Sequence, residues 1–451
     1  MARIWSLIWL AAAVGGIALM ALAYRQAQNI LGSGGNRHVL YVAKQPGAKA
    51  EKGSPVLVYF LPAGEDVKTL TQAFGGIDPE LSESFSRNHR QMLILSPDFK
   101  QRFAENMLDS GRLPEPGTKE VLADPHTAGR DRIMVGDEIL TVVGALKKTD
   151  SLQLDACYAA DDPAMRSILE KNGESLVDGY LISSDDLKKI KDLKKQFPRK
   201  ELTAVTGLQR MNKTAYYNYA LGVLLFLLGG SGLLIRIYLF AARRITNAWI
   251  GAPLAEISRH WKLFSLMHAV YFGLFLIGML VIYEAPLLQD FMLTVIGGQI
   301  ESESGPLGVA GMAYESRNVA VAAVVTLLIN FFAGSLLVIT LPSVIVPGIG
   351  VLMAVFRATM WGILLAPSYM VLAWGMLFHS GTLLLEGEGY ILAAFFALLV
   401  PIYLFSPKEG ENIGARYAQA VLMNLKGNII VFIVLAIAAS YEAIEVIMQM
   451  G

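Results

Sequence analysis

The amino-acid sequence predicts a polytopic α-helical membrane protein of about seven spans plus a candidate re-entrant segment, carrying one α+β extracytoplasmic domain. Three observations lead there. Runs of about 20 apolar residues, long enough to cross a bilayer core, recur in a chain that is 54% hydrophobic. One long polar segment, residues 35–214, interrupts them with 26 Lys and Arg balanced by 26 Asp and Glu. Loops bearing Arg and Lys alternate with loops bearing carboxylates, the pattern that the positive-inside rule reads as orientation.

The apolar runs fall at 5–24, 219–240, 264–283, 319–341, 358–378, 390–405 (short unless extended backwards) and 428–448. They divide the chain into an N-terminal membrane anchor (1–34), the polar domain (35–214), spans two and three with their loops (215–316) and a C-terminal membrane domain (317–451). "ALA" at 21–23 has the look of a signal-peptidase site, but its run is long for a signal-peptide core, so an uncleaved anchor is expected. The loop after the second span holds Arg236, Arg243, Arg244, Arg259 and Lys262. The next holds five carboxylates and only Arg317, and the one after that holds Lys408, Arg416 and Lys426. Basic loops belong in the cytoplasm, so the N-terminus is expected inside and residues 35–214 outside, in a bacterial inner membrane.

Within the polar domain, "HVLYVAK" and "SPVLVYFLPA" read as strands, rich in Val, Tyr and Phe and bounded by Gly, Pro and Ser. "SPDFKQRFAENMLDSGRLP" reads as a helix with Ser96 as N-cap, Phe99, Phe103 and Met107 at helical spacing, and Gly111 as its stop. "DRIMVGDEILTVVGALKK" alternates as strand, Gly-Asp turn, strand. "SSDDLKKIKDLKKQFP" reads as a second helix, with Ser184 to cap it, Asp185 and Asp186 at its positive end and Pro198 to end it. The domain is electrically balanced, which speaks against a nucleic-acid partner.

Two resemblances can be placed on these residues. The helix followed by "SGRLPEPGTKEVLA" and "VGDEILTVVGALKK", in a chain with one span before that domain and the others after it, resembles the cell-division/macrolide-exporter class of ABC permeases over roughly residues 1–260. It implies a periplasmic core domain and coupling to a separate ATPase through the cytoplasmic loop, at Arg243, Arg244, Arg259 and Lys262. The chain departs from that class where Arg243 and Arg244 run into "ITNAWIGA" instead of an acidic, Glu-containing motif. Over roughly 317–448, "RNVAVAAVVTLLINFFAG", "MLFHSGTLLLEGEGYILAAF" and "VFIVLAIAASYEAIEVI" are similar to the stage II sporulation protein M family. The matching residues are Asn318 or Asn330, Gly334, Gly348, Gly350, His379, Gly381, Glu386 and Glu442. That resemblance implies a partner of envelope machinery.

"HSGTLLLEGEGYILAAF", residues 379–395, sets an imidazole and two carboxyls in an apolar run. His379 and Glu386 lie two helical turns apart, on one face of a continuous helix. Together with Glu388 and Glu442 they form a candidate intramembrane polar site, because ionisable groups inside a bilayer face protein or a water-filled cavity. Alternatively the span ends near His379 and the carboxyls sit wet at the outer interface, or Glu386 caps a helix start within the bundle. Gly381, Gly387 and Gly389 argue for a broken helix and favour the structural readings. A second irregular place is "LPSVIVPGIGVLMAVF", where Pro342, Pro347, Gly348 and Gly350 predict a helix break. Residues 344–356 read as re-entrant or interfacial, with Arg357 returning to the cytoplasmic face. "APLLQDFMLTVIGGQI" reads as an amphipathic helix along the outer membrane surface.

Other motifs are weak. "LGGSG" at 228–232 lacks the Lys-Ser/Thr of a phosphate loop and reads as a helix-packing site. Cys157 is the only cysteine, so it reads as a packed small hydrophobe. Asp161 and Asp162 read as turn and cap residues. No metal, cofactor or catalytic set is expected. The functional expectation is a non-enzymatic integral membrane subunit of an ABC-permease-like envelope complex, its exported domain docking or moving a partner. The alternative is a structural scaffold of a membrane assembly. Partners expected are other membrane or envelope proteins, an ABC ATPase in trans among them, and the lipid bilayer.

Overall fold

The computed structural model describes residues 2–32, 37–43, 54–63, 65–74, 82, 85, 90–124, 131–147, 156–172, 176–184, 202–205, 210–301, 305–406 and 412–450. The chain forms two compact units, Gln28–Gln209 and a helical unit of Met1–Ala27 with Arg210–Gly451.

The first unit is built on a sheet of ten strands: β1 (Arg37–Ala43), β2 (Ser54–Ala63), β3 (Arg90–Ser96), β4 (Leu108–Gly111), β5 (Glu120–Ala123), β6 (Arg132–Val135), β7 (Glu138–Leu146), β8 (Ala156–Ala160), β9 (Leu176–Ser184) and β10 (Leu202–Val205). Their order is β10-β1-β9-β2-β3-β8-β5-β7-β4, with β6 paired to β7. Pairing is antiparallel except at β3–β8 and β5–β7. Alternation sends side chains to two faces, and both are covered. Val56, Val58, Met92, Ile94 and Tyr158 share one core with Phe99 and Phe103. Tyr59, Leu93, Leu95, Cys157 and Ala159 pack on the other face with Met165, Ile168 and Leu169 of the helix Pro163–Asn172. The expected strands at 38–44 and 54–63 and the Gly-Asp hairpin are present, the last with Gly136 at φ +60° in its turn.

The helix expected over 96–111 is reduced to one turn, Phe99–Arg102, followed by a 3-10 turn, Glu105–Met107, and then β4. Ser96 ends β3 and donates to Asp98 Oδ1 (2.5 Å), so it does not cap. The Phe99 and Phe103 rings still meet, 4.9 Å apart, which satisfies the apolar spacing with a single turn. Gly111 (φ +76°) then lets the backbone lie against β7, where a Cβ would stand 2.2 Å from Val143 O. Beyond it, Arg112 forks onto Glu120 (2.8 and 2.5 Å) across the "GRLPEPGTKE" loop. Asp162 does act as a cap, accepting from Met165 N (2.9 Å), and Asp161 pairs with Arg166 (2.7 Å). Ser184 closes β9, and the helix expected beyond it, with Asp185, Asp186 and Pro198, lies outside the described residues.

In the helical unit, numbered separately, the elements are α1 (Ala2–Gly32), α2 (Lys213–Ala241), α3 (Gly251–Arg259), α4 (Trp261–Glu284), α5 (Pro286–Glu301), α6 (Gly305–Glu315), α7 (Val319–Ile345), α8 (Ile349–Leu364), α9 (Met370–Phe405) and α10 (Ile413–Met450). Among the described residues six of these, α1, α2, α4, α7, α9 and α10, are long and apolar enough to cross a membrane. α8 is apolar but only 16 residues, about 24 Å. A mostly helical, multi-pass membrane architecture with a separate sheet region therefore stands. The partition of its C-terminal half differs from the sequence reading.

Three corrections carry that difference. The expected spans at 358–378 and 390–405 are not separate helices. Residues 358–364 close α8, a short connection follows, and α9 then runs 36 residues without interruption. Its glycines are notches, not breaks: a Cβ on Gly381 would meet the Tyr441 ring at 2.8 Å, and one on Gly389 would meet Leu435 at 2.5 Å. Second, the break near Pro342–Gly350 is confined to Val346–Gly348, with Val346 extended and Gly348 at φ +96°. Pro342 lies inside the short helix Leu341–Ile345, Pro347 in the turn, and Gly350 in the first turn of α8 with its N–H donating to Ser343 Oγ (2.8 Å). Third, Arg357 is at the middle of α8 rather than at a boundary. Residues 344–356 comprise the end of α7, the turn and the first half of α8. α8 keeps going until Leu364 O and Ala366 O accept from Gln289 of α5 (3.0 and 2.8 Å).

Contacts fix the directions of the helices. α1 is antiparallel to α2, with Ser6 against Arg236 and Gly16 against Gly222. The small residues there matter, since a Cβ on Gly229 would stand 2.4 Å from Ala13 N and one on Gly232 would enter the Trp9 ring. This is the close packing read from "LGGSG". α9 runs parallel to α2, with Tyr219 donating to Ala373 O (2.8 Å) and Gly230 against Leu384. α10 returns alongside α9. Two ends result. A basic end gathers Arg236, Arg259, Tyr403, Arg416 and the 346–348 turn, where Tyr417 donates to Val344 O (2.5 Å). The opposite end gathers Tyr283, Arg210 and the 365–369 connection. There Gln289 is wholly buried, so one polar position of the expected amphipathic helix α5 faces protein.

α7 is α-helical to Leu328, π-helical over Ile329–Thr340 and α-helical again to Ile345. π-Helical turns are rare and concentrate at functional sites. This one carries Gly334 toward the centre of the unit, where a Cβ would stand 2.8 Å from the Tyr390 hydroxyl and 3.4 Å from Arg357 Nη1.

Candidate functional site

α9 is the most buried of the long helices. Glu386 and Glu388 are the seventeenth and nineteenth of its 36 residues, so both are at its middle, some 24–27 Å from its first residue. Two residues apart on a helix is a turn of about 200°, so the two carboxyls point to different neighbours. Both are buried, at 9% and 0% exposure. Their burial overturns the water-exposed reading of Glu386 and Glu388, and the unbroken α9 overturns a helix start at Glu386.

Glu388 faces α4. Its Oε2 lies 2.6 Å from His268 Nε2, and His268 Nδ1 lies 2.8 Å from Phe264 O. A carbonyl oxygen only accepts, so Nδ1 carries a hydrogen. One further proton lies between Nε2 and the carboxyl, and the pair is neutral as a whole whichever atom holds it. Phe264 stacks edge-on against the imidazole at 4.6 Å and closes that side. Glu388 Oε1 has no hydrogen-bond partner among the described residues, and the Tyr238 hydroxyl stands near the carboxyl.

Glu386 faces α7 and α8. Arg357 Nη2 donates to its Oε1 (3.0 Å) and to the Tyr390 hydroxyl (2.5 Å), and that hydroxyl donates to the same Oε1 (2.9 Å). The guanidinium lies over the Tyr390 ring at 3.8 Å and near Trp361 at 5.6 Å, a cation–π setting that Lys would not reproduce. A small cavity with room for about one water joins this group to His379 between Tyr271, Trp361 and Leu383.

His379 and Glu442 sit further toward the opposite end. His379 Nδ1 is 3.3 Å from Glu445 Oε2, which also accepts from Thr382 (3.0 Å), while the exposed Gln449 donates to Glu445 Oε1 (2.8 Å). Glu442, one turn before Glu445, is placed among Glu386, His379 and the Tyr314 hydroxyl. The structure therefore brings His379, Glu386 and Glu442 together and sets Glu388 apart from them on another face. Below the Arg357 group, Thr340 donates to Asn428 Oδ1 (3.2 Å) between α7 and α10.

Sequence reasoning missed His268, Arg357 and Glu445 as members. Each was findable as an ionisable residue within an apolar helical run, the usual mark of an intramembrane polar site. The other candidate set lies at the basic end. Arg243, Arg244 and Lys262 are exposed, and Arg259 pairs with the buried Glu256 (2.6 Å). They border an exposed stretch, 243–249, that includes Trp249 at 61% exposure. Asn247 Oδ1 fixes this stretch by accepting from the N–H groups of Trp249 and Ile250 (3.0 and 2.6 Å). Among the described residues no group of three or more His, Cys, Asp or Glu is arranged to hold a metal ion. Cys157 is buried in the sheet core.

Comparison with protein-family models, with curated proteins and with solved structures finds no match to this chain.

Proposed function

We propose that the chain is a non-enzymatic integral membrane subunit of an envelope complex of the ABC-permease-like kind, which engages a partner through its basic end. The observation that carries this reading is the exposed shelf formed by 243–249, α3 and the start of α4. α3 is seated by the buried Leu254, Glu256 and Ile257, while Arg243, Arg244, Arg259, Trp249, Trp261 and Lys262 are left facing outward. Arg and Trp are the side chains that dominate protein–protein hot spots, and here they flank a short helix anchored against the bundle, with Arg259 at its end. By the positive-inside rule the basic end is cytoplasmic, with α8 counted as a crossing. Residues 35–214 then belong to the extracytoplasmic side of a bacterial inner membrane. The partner at the shelf would be an ABC ATPase supplied in trans, and the sheet unit would dock or move a partner outside.

The test is purification in mild detergent followed by mass spectrometry. An ATP-binding-cassette subunit that co-purifies with the wild type and is lost from Arg243→Glu/Arg244→Glu supports an energised complex. Recovery of envelope proteins without an ATPase, unchanged by that variant, overturns the coupling reading and makes the chain a structural scaffold.

A further inference from the structure

Three carboxyls, Glu386, Glu442 and Glu445, lie near one another in the half of the helical unit nearer the end opposite the basic shelf. Among the described residues, the groups that face them from each neighbouring element are few: Tyr271 on α4, Tyr314 on α6, Arg357 on α8, His379 and Tyr390 on α9, and Tyr441 on α10. Tyrosines are neutral at ordinary pH, which leaves one guanidinium and one imidazole to balance three carboxyls. Even with the imidazole protonated, one negative charge is left over. An uncompensated charge in such a setting is expelled by neutralisation before it is tolerated. Two further features place the missing positive charge. The cavity beside Glu386 and His379 holds about one water. The exposed Gln449 hydrogen-bonds Glu445, so the chain of polar groups reaches the surface of the unit.

We propose that this cluster is a proton-binding site: one exchangeable proton, drawn from water at the end opposite the basic shelf, is shared among Glu386, Glu442 and Glu445. Its position decides how firmly α8 and α9 are joined. With the proton elsewhere, Glu386 is ionised and holds Arg357. With the proton on Glu386, Arg357 loses its ion pair and keeps the Tyr390 hydroxyl, the Tyr390 and Trp361 rings and a weaker, neutral hydrogen bond. Arg357 stands nine residues beyond Gly348 on the helix that begins at the Val346–Gly348 turn, so proton arrival is transmitted along α8 to the basic end. The Glu388–His268 pair is a separate, internally neutral unit and takes no part.

The full chain, purified in detergent, is examined by infrared difference spectroscopy between about pH 6 and about pH 9. A protonated-carboxyl band at neutral pH that is lost in Glu442→Gln and retained in Glu388→Gln is expected. A band absent from the wild type, or unchanged in Glu386→Gln, Glu442→Gln and Glu445→Gln alike, overturns the site. Should the Glu442 variant fail to give a monodisperse protein, His379→Gln serves. Removing the imidazole leaves the cluster more negative, so the band must persist to higher pH, and an unmoved midpoint also overturns the proposal.

Discussion

Acid–base pairs occur in both units of this molecule, and they are built differently. In the sheet unit, Arg112–Glu120 and Lys119–Glu138 bridge neighbouring strands and loops with their basic partners more than half exposed. Water would solvate either partner if the other were removed, so such pairs contribute little. In the helical unit, His268–Glu388 and Arg357–Glu386 join different helices, the first almost wholly enclosed and the second with a quarter of the Arg357 side chain exposed. There the attraction only offsets the desolvation of the two groups, but losing one partner strands the other. Geometry at the contact is similar, with N–O separations of 2.5–3.0 Å in these four pairs. Surroundings, rather than the bond, decide what each pair is worth.

The largest effect that tests this contrast is expected at His268. His268→Ala leaves Glu388 buried without its partner, a loss of about 3–5 kcal/mol, read as a large fall in the melting temperature of the detergent-purified protein. The double variant His268→Phe/Glu388→Leu removes both groups and should recover most of that loss. If the double variant is as unstable as the single one, the pair is needed for more than mutual neutralisation and the contrast fails.

A smaller effect is expected at Arg357. Arg357→Lys preserves the charge near Glu386 but gives up the stacked, planar contact with Tyr390. It should be destabilising by about 1.5–3 kcal/mol, the range of a lost hydrogen bond to a charged group. A Lys variant as stable as the wild type would show that charge alone holds α8 to α9.

The smallest effect belongs to the sheet unit and appears in acid. Hydrogen bonds from Arg112 and from the Glu115 N–H hold the Glu120 carboxyl below its usual range, and those from Lys119 and Lys171 do the same for Glu138. A carboxyl depressed on folding contributes stability that is fully present above its unfolded value, about 4.3. That contribution disappears as pH falls through the lower folded value. Hydrogen exchange in β5 and β7, followed by mass spectrometry below about pH 4, should quicken in the wild type, and less steeply in Lys119→Met. A steep acid response retained by that variant would assign the loss to other groups.

Several features were legible from residues alone because the signal is local. Apolar runs of span length mark α1, α2, α4 and α7, and alternation of Val, Tyr and Leu marks β1, β2 and β7. The Gly-Asp turn between β6 and β7 needs only the backbone freedom of one glycine. Reading failed where one residue type has two uses. Gly381, Gly387 and Gly389 suggest a broken helix, yet each makes room for a ring or a Leu from a neighbour, and α9 passes straight through. Phe99, Phe103 and Met107 suggest four turns of helix, yet a single turn brings the two rings into the sheet core while the chain goes on to pair as β4.

Composition and periodicity thus determined that this chain enters a membrane repeatedly, that a balanced polar domain interrupts it, and that ionisable groups stand within apolar helices. Those properties follow from sums over neighbouring residues. Tertiary structure alone decided that Glu388 meets a histidine 120 positions earlier and Glu386 an arginine 29 positions earlier. Whether a carboxyl is wet, paired or protonated depends on which helices pack against it, and that packing is set by contacts between residues far apart in the chain.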